Sequence, residues 1–289
     1  MHVALDVADV LSAHEAAGRR FSAGGVGSFA LEQGDGDPAV LVHGVPTSSF
    51  VYRRLVPELS ARGLRAVAFD LPGLGLAERP AGFDYSWSGL ARWMEEAIDA
   101  LRIERCHLVV HDIGGPIALE WAIRHPDRVL SLTALDTLVD VATFHRPWPM
   151  HPFSIRGIGE LWLRSMLRIP FRQIYYLVGI ADRSAVPAVE VDAHHALLMR
   201  EDRGRAFLRI MRGFELTAEK ERFLRDGLAG RPYPAQVIWG RQDRMLGPER
   251  MEAVLQALRA PEPTLLPARH FLQEDQAPAV AEAIGSLLE

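Results

Sequence analysis

The chain has 289 residues, 48% of them hydrophobic and 24% charged, with 37 acidic against 32 basic side chains and a formal charge of −5. That length suits one large α/β domain with an insertion, and the ordinary composition excludes a disordered or fibrous chain. Arginines scattered among acids, under a net negative charge, argue against nucleic acid as a partner.

The N-terminal stretch MHVALDVADVLSAHEAAGRR carries acids and lacks the basic and apolar regions of a secretion signal. No segment approaches the about 20 apolar residues that span a bilayer, so a cytoplasmic protein without a membrane partner is expected. Residues 5–17 have helical spacing, and residues 25–38 read as a strand closed by a Gly/Asp/Pro turn. Six short apolar runs follow at 39–44, 64–70, 106–112, 130–136, 235–240 and 263–267. Such runs mark strands covered on both faces. Cys106 opens one of them, where a lone cysteine reads as a buried, inert thiol. Helical spacing separates most of the runs, at 50–63, 88–102, 116–128 and 249–260. Strand alternating with helix predicts a mostly parallel sheet with right-handed crossovers.

The alternation fails between Asp136 and Ala235, where helical windows such as 158–169, 191–200 and 204–214 occur without a buried strand. A helical cap inserted into the sheet domain accounts for this. The expected division is a core at 1–138, a cap at 139–225 and the rest of the core at 226–289.

The segment LVVHDIGGPIALEW carries the clearest chemical signal. A buried strand ends at His111, Asp112 follows, and Gly114, Gly115 and Pro116 open a helix, which is the pattern of a nucleophile elbow with Asp in place of Ser. The free amides of the helix start favour an ionised carboxylate there. A lone Asp-x-Gly-Gly could equally be a helix cap. Two more strand ends bear on the choice. WGRQDRMLGPER sets Asp243 in the loop after one strand, and LLPARHFLQED sets His270 after the last. Nucleophile, acid and histidine then come in the chain order of a hydrolytic triad on an α/β sheet. The HGVPTSSF loop after the 39–44 run would bring the backbone N–H of Val45, with that of Ile113, to an oxyanion hole. Asp136, ending the 130–136 run, is the alternative acid.

These segments resemble the Asp-nucleophile α/β hydrolases, the group of epoxide hydrolases and haloalkane dehalogenases. HGVPTSSF resembles their HGxP loop, DLPGLGLAERP their DLxGxGxS-like segment, VVHDIGG their HDxGG elbow and RHFLQEDQAPAVAEAI their terminal block. The likeness covers roughly 35–138 and 233–289. It implies the α/β-hydrolase fold with a helical cap, and a covalent alkyl ester on Asp112 formed from a small apolar substrate. Water activated by His270, with Asp243 behind it, would release the product. No cofactor or metal is implied.

Within the group the leaving atom sets the remaining needs. The dehalogenase likeness would require Trp after the nucleophile, and this chain has Ile113 there. Trp162 is then the candidate halide donor. Epoxide opening would need a hydroxyl or imidazole from the cap, and Tyr175, Tyr176, His194 and His195 are candidates. Epoxide hydrolysis to a vicinal diol is the preferred expectation, with dehalogenation second. A non-catalytic small-molecule binding module of the same fold is the alternative of another class.

Overall fold

The computed structural model describes residues 5–288. Helix α1 (Val7–Ala16) is followed by strands β1 (Gly18–Ala23), β2 (Val26–Gln33) and β3 (Asp37–Val42). Helix α2 (Leu55–Ser60), β4 (Leu64–Phe69), α3 (Trp87–Ala100), β5 (Cys106–Asp112), α4 (Gly114–Arg124) and β6 (Val129–Thr137) continue the chain. After a helical insertion come β7 (Ala235–Gly240), α10 (Pro248–Leu258), β8 (Thr264–Leu266), α11 (Leu272–Asp275) and α12 (Ala277–Leu288). The insertion holds α5 (Ile158–Ser165), α6 (Arg168–Gly179), α7 (Ala188–Arg203), α8 (Arg205–Arg212) and α9 (Ala218–Ala229).

The strands form one eight-stranded sheet in the order β1-β2-β4-β3-β5-β6-β7-β8. From β4 to β8 every pairing is parallel, as the alternation of strand and helix requires. Val40, Leu41, Val42, Leu108, Val109 and Val110 are wholly buried, because helices cover both faces of these central strands. Neighbours α3, α4, α9 and α10 pack in one row, and α2 packs with α12 in another. Residue 225 thus lies within a helix, α9, that packs on α4 and α10.

Three local readings change. The single strand expected at 25–38 is the second arm of an antiparallel hairpin continuing into the start of β3. Its partner β1, GRRFSA, is an edge strand with exposed arginines, so it lacks the apolar run that marks a buried strand. The helix expected at 50–63 is a 3₁₀ turn at Ser49–Tyr52 followed by the short α2. Pro57 sits in the first turn of α2, where its missing N–H is harmless, but it discourages a helix arriving from upstream. The window 158–169 breaks at Met166 and Leu167, and α6 begins with Pro170 in its first turn.

Candidate active site

Three loops at the carboxyl ends of parallel strands converge. Asp112 ends β5 with a φ of 52°, a left-handed conformation that a non-glycine residue holds only where its surroundings enforce it. The enforcement is visible on both sides of the turn. Thr137 Oγ1 donates to the Asp112 carbonyl at 2.6 Å, and a Cβ on Gly115 would stand 1.8 Å from that hydroxyl. The helix can therefore follow the strand this closely only without a side chain at 115.

The Asp112 carboxylate is oriented by the loop after β3. Val45 N–H donates to its Oδ1 at 2.8 Å, and the Ile113 amide also favours its charge. A Cβ on Gly44 would lie 2.0 Å from the same Oδ1. His43 holds this loop from behind: its Nδ1–H donates to the Gly44 carbonyl at 2.9 Å and its Nε2 accepts from Leu71 N–H at 3.1 Å.

His270 follows β8 and faces Asp112. Its Nε2 is 3.5 Å from Asp112 Oδ2, and its Nδ1 is 2.8 Å from Asp243 Oδ2. The other Asp243 oxygen accepts from the Met245 and Leu246 amides at 2.6 and 3.1 Å, so the carboxylate is fixed by backbone. His111, immediately before the nucleophile, donates from Nε2 to the His270 carbonyl at 2.8 Å. Burial, then the His270 charge, pulls the His111 pKa down to about 4, so it stays a neutral hydrogen-bond donor. Sequence reasoning missed His111; its signal was a polar ring at the end of an otherwise apolar strand.

Burial alone would raise the Asp112 pKa, but the hydrogen bond and charge of His270 hold it below the usual carboxylate range. Burial would likewise lower that of His270, yet Asp243 first and Asp112 second raise it well above an ordinary imidazole. The pair is therefore a carboxylate beside an imidazolium. Asp136 is close by but wholly buried, and its carboxyl oxygens accept only from Gly240 N–H, at 3.0 and 3.3 Å. Burial and then the charge of Asp243 push its pKa well up, leaving it a neutral acid that does not touch His270.

Asp112 and His270 open into a chamber whose walls are apolar: Phe144, Met150, Leu163, Phe207, Phe214 and others like them. Among the described residues its polar lining is limited to Asp112, His270, Tyr175 and Arg146. Of the five insertion residues considered as donors, the structure brings only Tyr175 to this wall. Its hydroxyl donates to Glu274 Oε1 at 3.2 Å and lies 3.1 Å from His194 Nε2. His194 Nε2 donates to the same Glu274 oxygen at 2.7 Å. Burial would raise the Glu274 pKa, but the Arg53 charge and the His194 bond bring it to about 2.

The other three are committed elsewhere. Tyr176 donates to the Val186 carbonyl at 2.7 Å, His195 Nε2 to the Met166 carbonyl at 2.8 Å, and Trp162 Nε1 to the Pro149 carbonyl at 3.1 Å. Each answers a local need for a buried polar group to be paired.

Comparison with known proteins gives a consistent picture. Residues 37–277 match the family described as the alpha/beta hydrolase fold. The chain is 29% identical over 265 residues to haloalkane dehalogenase 2 of Mycobacterium tuberculosis, covering 88% of each chain. Among solved structures, Cfl2 from Burkholderia cenocepacia superposes with a TM-score of 0.83 at 23% identity, covering 94% of this chain and 95% of the other. A mutant of an epoxide hydrolase from Bacillus megaterium gives a TM-score of 0.74 at 23% identity, covering 93% and 99%. Among the described residues no helix is long and apolar enough to cross a membrane.

Proposed function

Since the chain belongs to the alpha/beta hydrolase fold family, we propose that it is a hydrolase of the epoxide hydrolase and haloalkane dehalogenase group, working through an alkyl ester on Asp112. With Oδ1 held by the Val45 amide, Oδ2, which faces His270 Nε2 at 3.5 Å, is the oxygen left to attack. It attacks a substrate carbon, and the bond from that carbon to the leaving atom breaks. A carboxylate needs no base for this step.

Alkylation removes the charge on Asp112, and with it part of what keeps His270 protonated. His270 gives up its proton to balance the leaving alkoxide and becomes a base. It then takes a proton from water, whose oxygen adds to the Asp112 carbonyl carbon. The developing oxyanion sits where Oδ1 now accepts from Val45 N–H, with the Ile113 amide beside it. Collapse breaks the acyl C–O bond, releases the alcohol and restores the carboxylate and imidazolium. Asp243 orients the imidazole and supports its charge, and the neutral Asp136 is left outside the cycle.

The leaving atom is best read as an epoxide oxygen, giving a vicinal diol. One observation carries this: the polar lining offers a hydroxyl, Tyr175, and no indole or side-chain amide among the described residues. Burial, then the Glu274 charge, raises the Tyr175 pKa well above its ordinary value. The phenol thus keeps its proton and, on turning from Glu274, which His194 and Arg53 still engage, donates it to the ring oxygen. Dehalogenation is the second reading, favoured by the name of the mycobacterial relative. A binding module without chemistry would have no use for the Asp112, His270 and Asp243 arrangement.

Matched small epoxides and bromoalkanes, assayed for diol and for bromide, test the choice. Diol formation is expected, reduced on the order of 10²-fold by Tyr175→Phe, the size of effect one transition-state donor has. Bromide release without diol would replace this reading by the second.

A further inference from the structure

The chamber holds one cation that the hydrolytic cycle leaves unused. Arg146 stands in the stretch after β6 that supplies Phe144, Pro147, Pro149 and Met150 to the same wall. It is only partly buried and forms part of the chamber lining. Its guanidinium faces the Phe214 ring at 4.6 Å, and its Nη2 donates to the Met211 carbonyl at 2.8 Å. No acceptor meets its buried Nε–H, and burial is the one influence on its pKa, which it lowers. Arg53, Arg79, Arg172, Arg212 and Arg250 each reach a carboxylate, whereas Arg231 and Arg269, like Arg146, bond only carbonyls, and of these three Arg146 alone lines the chamber. The bond to Met211, in the last turn of α8, accounts for one of five N–H groups and leaves the fork open.

We propose that Arg146 receives the carboxylate of an amphipathic substrate, so that the enzyme acts on reactive derivatives of aliphatic monocarboxylic acids. This rests on the alkyl-ester reading above and names the substrate class for the same site. A guanidinium fork matches a carboxylate in a bidentate pair, and the apolar lining between Arg146 and Asp112 fits the hydrocarbon that joins acid and reactive carbon. The second charge of a phosphate monoester would have no partner, because among the described residues Arg146 is the only cationic side chain in the lining apart from His270, which Asp112 and Asp243 already engage. Orientation follows from sign. The substrate carboxylate is repelled by ionised Asp112 and attracted by Arg146, so the reactive carbon is the end presented to the nucleophile.

Binding and turnover separate this proposal from the reading beneath it. Octanoate and octanamide, which cannot react, are titrated calorimetrically into the wild type, Arg146→Met and Arg146→Lys. The wild type is expected to bind octanoate about 30-fold more tightly than octanamide, the scale of a charge-assisted pair. Arg146→Met should abolish that preference with octanamide affinity unchanged, and Arg146→Lys should keep part of it. Equal binding of the two probes by the wild type, or a preference that survives in Arg146→Met, overturns the proposal. Should Arg146→Met not fold, loss of the preference in Arg146→Gln at unchanged octanamide affinity supports it, and its persistence overturns it. Turnover reports on the other claim: 7,8-epoxyoctanoate and its amide are compared for diol and for an adduct on Asp112. An enzyme that opens both equally keeps the ester mechanism and loses the role of Arg146. One that prefers octanoate but forms no adduct keeps the carboxylate site and loses the mechanism.

Discussion

The floor and the roof of the chamber are held in different ways. On the floor, backbone fixes the carboxylates, through Val45 N–H on Asp112 and the Met245 and Leu246 amides on Asp243, and Asp243 in turn fixes His270. In the roof, side chains answer first to the segments between the helices. Tyr176, His195 and Trp162 spend their donors on carbonyls of the insertion, and Tyr175 alone reaches the wall. A site set by strand ends is thus specified by short motifs, whereas a site set by helix orientation is not.

The sharpest test of the floor is the choice between its two acids. Asp243→Asn is expected to lower turnover by about 10³- to 10⁴-fold, as loss of an imidazole-orienting carboxylate does. Asp136→Asn replaces one neutral group by another and should cost less than about 10-fold. The pH profile adds a sign. Asp243 contributes the largest upward influence on the His270 pKa, so its removal should move the acid limb of ester hydrolysis to lower pH. Equal losses from both variants, with no movement of the limb, would erase the distinction between the two carboxylates.

Floor and roof meet at Glu274, which joins Arg53, His194 and Tyr175. Its pKa is depressed from 4.5 to about 2, so its stabilisation is present above the unfolded value and lost as pH falls toward 2. Glu274→Gln should cost about 3 kcal/mol near neutral pH, typical of opening a buried ion pair. The gap between the two melting temperatures should narrow between pH 4.5 and 2. A gap that stays constant with pH would show that packing, not charge, holds the junction.

Smaller effects are expected in the roof. Tyr176→Phe and Trp162→Phe each remove a hydrogen bond to a carbonyl and should cost about 1 kcal/mol of stability with turnover unchanged. A selective loss of bromide release in Trp162→Phe would instead return the indole to the chamber and blur the contrast between floor and roof.

The same contrast explains what could be read from the sequence. The parallel strands announced themselves as apolar runs, and Asp112, Asp243 and His270 each stood just past such a run, so their meeting follows from the topology. Strand β1 escaped because an edge strand with exposed arginines has no buried run. The sequence ranks Asp243 above Asp136 only by the likeness of its loop segment; the physical difference lies in which carboxylate reaches His270 Nδ1. Tyr175 and Tyr176 are adjacent on α6, and one residue is about 100° of helical rotation, enough to send one to the wall and the other to Val186. Arg146 was hidden by abundance, one arginine among many, and becomes conspicuous only when its neighbours show no carboxylate.

The ester on Asp112 is the central claim, and His270→Ala tests it directly. Without a base to activate water, the alkylated enzyme should persist. Intact-protein mass spectrometry after incubation with an epoxide that the wild type opens should show a mass increase of one substrate molecule, mapped to the peptide containing Asp112. An unmodified His270→Ala protein, across every substrate the wild type converts, would contradict the mechanism.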